Sequence, residues 1–126
     1  MCQVFVSADP QLYAYRARSV RLHGVATSIR LENLFWQVLE EIATRDGYTV
    51  PQLCTKLYDE LVAERGAVDN FTSFLRVCCT RYLALQLSGD ISQDTHVPIR
   101  SIIAPNTRPS LHPSTHAAAP TGAVRH

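Results

Sequence analysis

Five glycines in 126 residues leave little material for a phosphate-cradling loop. Neither a nucleophile beside a base nor a pair of facing carboxylates stands out, so the chain reads as a non-enzymatic protein. No run approaches the roughly 20 continuous apolar residues of a membrane-spanning helix. Met1-Cys2-Gln3-Val4-Phe5 lacks the basic-then-apolar layout of a secretory signal. A cytoplasmic protein with no membrane partner is the expectation. The four cysteines, Cys2, Cys54, Cys78 and Cys79, fall at neither zinc-ribbon nor disulfide-framework spacing and are expected as reduced thiols. His23 stands alone, and His96, His112, His116 and His126 are too widely spaced to form a metal site, so no cofactor is expected.

Charge is scarce as well, at 18% of residues and a net +1, but it is segregated. Residues 1–31 carry Arg16, Arg18, Arg21 and Arg30 against Asp9 alone. Residues 32–66 carry seven acids against Arg45, Lys56 and Arg65. The first stretch suits an anionic partner, the second a solvated face. From Ser88 onward Ser, Thr, Pro, Ala and His dominate, and five of the seven prolines fall there. That composition cannot build a core, so residues 88–126 are expected as a disordered tail, with one short apolar motif at Val97 to Ile103 and a possible role in binding a protein partner. Residues 1–17 are read as an N-terminal extension and residues 18–87 as the folded domain.

Within residues 18–31 polar and apolar residues alternate, with a slip of parity at His23-Gly24 that implies a bulge or turn. Ala26 to Leu31 is the best strand. The period then becomes helical. Phe35, Val38, Leu39, Ile42 and Ala43 form the stripe of a first helix over 33–46, closed by Asp46-Gly47. Thr49 and Gln52 form a capping box, with Pro51 in the first turn, for a second helix reaching about Glu64. Asn70 caps a third, whose stripe is Phe71, Phe74, Leu75, Cys78, Tyr82 and Leu85. A single strand would leave its backbone groups unpaired, which pairing with a second copy of the same strand would cure.

Ile29-Arg30-Leu31 leading into Phe35-Trp36-Gln37-Val38-Leu39-Glu40-Glu41-Ile42-Ala43, then Gly47 and Thr49, resembles the core of the ribbon-helix-helix superfamily, to which the Met and Arc repressors belong. Arg18 to Glu32, Phe35-Trp36, and Asn70 to Val77 resemble, more narrowly, short bacterial ribbon-helix-helix proteins, with a third helix added to the minimal fold. The resemblance implies a mainly α protein with one strand per chain and an intertwined homodimer. In it an intersubunit antiparallel ribbon would lie in the major groove of double-stranded DNA as a transcriptional regulator does.

In that picture Ala26, Ser28 and Arg30 point away from the helices and contact bases. Arginine has the geometry to hold guanine O6 and N7 together, serine can meet several base edges, and alanine can touch a thymine methyl. Arg18, Arg21 and His23, with the helix N-terminus at Thr49 and Val50, would contact phosphate. Ile29, Leu31, Phe35, Trp36, Leu39, Leu53 and Leu57 would form the dimer core. The alternative is a dimeric protein-binding module, antitoxin-like or an adaptor, which the near-neutral charge favours.

Overall fold

A computed structural model describes residues 2–101. In chain order it contains α1 (Cys2–Val6), a 3-10 turn (Pro10–Tyr13), β1 (Tyr15–Leu22), β2 (Val25–Glu32), α2 (Asn33–Arg45), α3 (Val50–Arg65), α4 (Phe71–Ser88) and a second 3-10 turn (Ile99–Ser101). Residues 104–126, with most of the tail, lie outside the described residues, as do the last residues of the Val97 to Ile103 motif.

The ribbon departs from the expectation of one strand per chain. β1 and β2 pair with each other, antiparallel, in an unbroken register from Tyr15↔Glu32 to Leu22↔Val25. The slip of parity at His23-Gly24 is the hairpin turn itself. Both residues take positive φ, 52° and 77°. That is the two-residue turn whose twist matches flanking strands, with glycine at the position that tolerates it most easily. A strand that turns back at once finds a partner in its own chain, so this two-stranded ribbon is intrachain. β1 also begins at Tyr15, inside the stretch read as an extension, and the preceding 3-10 turn is tied to α2 by Asn33 Nδ2 donating to the Gln11 carbonyl at 2.9 Å.

The helices follow their local signals. Thr49 accepts from the Gln52 amide while the Gln52 side chain accepts from the Thr49 amide, completing the capping box. The Asn70 side chain accepts from the Ser73 amide at the start of α4. The inward face of the hairpin, Val20, Leu22, Ile29 and Leu31, packs with Trp36, Leu39 and Ala43 of α2, Val50, Leu53 and Cys54 of α3, and Phe71, Leu75 and Cys79 of α4. The residues assigned to a dimer core are therefore housed in one chain. Ile29, Leu31, Trp36, Leu39 and Leu53 are buried there, with Phe35 and Leu57 half-buried against them. The hairpin covers the helical stripes on one side and α4 on the other, while Leu34, Val77, Leu83 and Leu87 stay exposed.

Beyond α4 the chain continues to pack. Ile91 is buried with Tyr82 and Leu85, and Ile99 packs against the same cluster. Arg45, buried near the end of α2, donates from Nε to the Val97 carbonyl at 2.8 Å and from Nη1 to the Ser92 carbonyl at 2.9 Å. Nη1 also donates to the Tyr82 hydroxyl at 3.0 Å. Asp46 accepts from the amides of Ile99 and Arg100. Ser88 ends α4, but residues 89–100 form a strap over α2 and α4.

Candidate nucleic-acid interface

Strand alternation divides the hairpin into two chemically different faces. Ala17, Ser19 and Arg21 of β1 and Ala26, Ser28 and Arg30 of β2 are all exposed, while Val20, Leu22, Ile29 and Leu31 are buried. The outward pairs are Ala17↔Arg30, Ser19↔Ser28 and Arg21↔Ala26. The Arg30 guanidinium lies over the Tyr15 ring, 4.9 Å from its centroid. Arg21 Nη1 donates to the Gly24 carbonyl at 3.0 Å. Glu32, next in the outward parity, is drawn to Arg76 on α4 at 3.0 Å, a hydrogen bond that holds its carboxyl below the ordinary range. The face that remains is small, polar and basic.

An open groove of about 630 Å³ joins this face to the start of α3. Ser19, Arg21 and Ala26 line one side and Tyr48, Pro51, Gln52 and Thr55 the other, with Lys56, Asp59 and Glu60 bringing one cation and two carboxylates further along α3. The Thr55 hydroxyl donates to the Arg21 carbonyl at 2.6 Å, which fixes β1 against α3 and sets the groove's depth. The ribbon face and the α3 N-terminus thus border one concavity, the relation a groove reader needs if flanking phosphates are to meet helix-end donors.

The residues assigned to phosphate contact are placed unevenly. Arg21 is on the outward face. Arg18 is on the helix-facing side, half-buried, its guanidinium 5.4 Å from the Trp36 centroid, so it does not share a surface with Arg30. Position 18 has the parity of Val20 and Leu22, which is the physical reason. His23 faces the Asp59 carboxylate at 3.6 Å and stands edge-on to Tyr58 at 5.2 Å. A carboxylate at that distance opposes an incoming phosphate. At the head of α3 the capping box occupies the amides of Thr49 and Gln52, and Pro51 has no N–H. The Val50 amide is the first-turn donor without a partner among the described residues, and its side chain is buried.

Sequence reasoning does not name Ala17 and Ser19, which the structure places on the outward face beside Arg21. A signal was there to find. Ala17-Arg18-Ser19-Val20-Arg21-Leu22 and Ala26-Thr27-Ser28-Ile29-Arg30-Leu31 repeat the same pattern nine residues apart.

Three thiols, Cys54 and Cys79 buried and Cys78 half-buried, are chemically quiet. Burial pushes Cys54 and Cys78 up to about 11 and Cys79 up to about 12, so each stays a protonated thiol near neutrality. No helix among the described residues is long and apolar enough to cross a membrane.

Comparison with known proteins gives two findings. A family model described as a ribbon-helix-helix domain matches residues 15–83, which takes in both strands and almost all of the three long helices. An uncharacterized protein from Bordetella pertussis Tohama I has a similar solved structure, at 62% sequence identity and a TM-score of 0.81, covering 82% of this chain and 83% of that one. No curated protein matches the chain.

Proposed function

Because the chain belongs to the ribbon-helix-helix domain family, whose members in general bind DNA and dimerise, we propose that it is a sequence-specific, DNA-binding transcriptional regulator. It presents the outward hairpin face to the major groove and acts as a homodimer. The observation that carries this reading is the exposure of Ser28, Arg30 and Ala26 on one face of β2 while Ile29 and Leu31 anchor the opposite face in the core. A two-stranded ribbon fits a major groove about 12 Å wide. Small residues let its backbone approach the base edges, and arginine reaches guanine with two parallel hydrogen bonds. In this reading the Val50 amide at the head of α3 is offered to a flanking phosphate. Members of the family are in general regulators rather than enzymes, and the site offers groups for recognition.

Incubation with fragmented genomic DNA at physiological salt, followed by sequencing of what the protein retains, tests this. Enrichment of a common short motif is the expected result. Retention of all fragments alike, or of none, would remove sequence-specific binding. A protein-binding module is the second reading, favoured by Val77, Leu83 and Leu87, which stand 60%, 50% and 82% exposed along α4.

A further inference from the structure

The six-residue repeat and the register together have a geometric consequence. The pair at the centre of the outward face is Ser19↔Ser28. A half-turn about an axis through that pair, normal to the sheet, exchanges the two strands and carries each β1 position onto the β2 position nine residues later. Arg21 then falls on Arg30 and Ala17 on Ala26, while on the buried side Val20 falls on Ile29 and Leu22 on Leu31. The hairpin of one chain has a local two-fold axis in its residues as well as in its backbone.

We propose that this single-chain hairpin is itself the reading ribbon and that Arg21 of β1 and Arg30 of β2 make equivalent base contacts on the two halves of a short inverted repeat. The inference rests on the DNA-binding reading above. It goes beyond it in naming which chain supplies the second strand and what symmetry the recognised sequence has.

Three observations support it. First, the two arginines lie on opposite strands at opposite ends of the face, each facing an alanine that leaves its guanidinium room. Duplex DNA has two-fold axes of the same kind across its grooves, so a two-fold ribbon meets the same base edges in both halves of an inverted repeat. At a rise of about 3.3 Å per residue the arginines are about 13 Å apart along the ribbon, close to four base-pair steps. Second, both are held in place before any ligand arrives, Arg30 over the Tyr15 ring and Arg21 by the Gly24 carbonyl. Third, the hairpin already has the width a major groove accepts. Adding the same hairpin from a second copy edge to edge would put the outer strands about 14 Å apart, wider than the groove. Within the repeat the two strands differ in chemical type only on the inward side, at Arg18 and Thr27, and beyond it the ends of the outward face differ, Tyr15 falling on Gly24 and His23 on Glu32.

The test is selection from random duplexes with the full chain and with Arg21→Ala and Arg30→Ala, each checked by circular dichroism for an unchanged fold. The parent should return an inverted repeat with guanines at two symmetry-related positions about four base pairs apart. Each variant should relax one half and keep the other, so that the two variants return the same half-relaxed motif. Each should also bind the parent motif about tenfold or more weakly.

If Arg30→Ala relaxes both halves at once and Arg21→Ala leaves the motif intact while weakening every sequence alike, β2 alone reads bases and the proposal is overturned. If the parent itself enriches no motif, the DNA-reading role fails and this inference with it. That failure is recognisable because it shows in the parent arm before any substitution is made.

Discussion

The outward face of the hairpin and the strap after α4 both hold short polar residues and are opposite in how they are held. The outward face is two alanines, two serines and two arginines, while residues 89–100 mix Asp90, Ser92, Asp94 and Thr95 with Ile91, Val97, Ile99 and one arginine. On the hairpin, Ser19, Ser28, Arg21 and Arg30 are presented to solvent by a strand whose alternate residues are buried. On the strap, Ser92 and Val97 offer backbone carbonyls inward to Arg45, and Ile91 is buried beside them. The difference teaches that polar composition says little about whether a segment is packed. What matters is whether a buried donor elsewhere needs its carbonyls. Arg45 needs them, because a guanidinium taken out of water without partners is costly. Its Nη2 has none among the described residues, so every bond the strap supplies counts.

Alkaline pH should have the largest effect and strike both regions, the hairpin through the cluster that holds Cys54 and Cys79 and the strap through the one that holds Tyr82. Cys54, Cys78 and Cys79 start from about 9 and are pushed up by burial to about 11, 11 and 12. Tyr82, under the strap, is raised from its ordinary value chiefly by burial and then by its hydrogen bond to Glu41. Each is a group kept protonated by the fold. The stability it contributes is complete below its unfolded value and is lost as pH rises through the folded one. Melting temperature should hold to about pH 9 and fall steadily toward pH 12. A flat profile across that window would contradict the burial of the thiols.

Two neighbours on β2 separate the hairpin's faces. Ile29→Ala should cost about 2 to 5 kcal/mol through the cavity it leaves. With Ile29 housed in one chain, the loss measured by urea unfolding should not depend on protein concentration, whereas a loss that shrinks as concentration rises would place Ile29 between chains. The strap comes next. Arg45→Ala should cost about 3 kcal/mol, since two carbonyls and a phenol lose a charged donor, and should open residues 89–97 to proteases. Truncation after Ser88 should cost about 2 kcal/mol through the lost burial of Ile91. This reverses what composition implies for the same segment, and an unchanged melting temperature would restore the picture of an unattached tail. The smallest effect belongs to Arg30→Ala, which should shift stability by less than about 0.5 kcal/mol.

Much of the helical architecture could be read from local signals, because those signals act locally. The Thr49 and Gln52 capping box, the Asn70 cap and the glycine after α2 work through hydrogen bonds within a few residues. The inward and outward parity of β2 was equally plain. The hairpin was only half legible. The parity slip marked a turn, but Tyr15, Arg16 and Ala17 carry too little apolar character to announce a strand, and β1 is defined by its partner. The strap was not legible, since nothing in its own sequence repeats. The clue lay 50 residues earlier, in Val38, Ile42 and Arg45 at i, i+4 and i+7, which put a charge in line with an apolar stripe. The helix-facing position of Arg18 was not legible from a count of basic residues, which ignores which side of a strand each one takes.

The most direct test of the central claim follows backbone amide signals by nuclear magnetic resonance as the full chain is titrated with a duplex recovered by selection. If the hairpin's outward face reads DNA, the shifts should concentrate in residues 15–32 and at Thr49 to Gln52, while the amides of residues 89–100 stay where they were. Shifts confined to the strap or to Val77, Leu83 and Leu87 on α4, with the hairpin unmoved, would contradict the account.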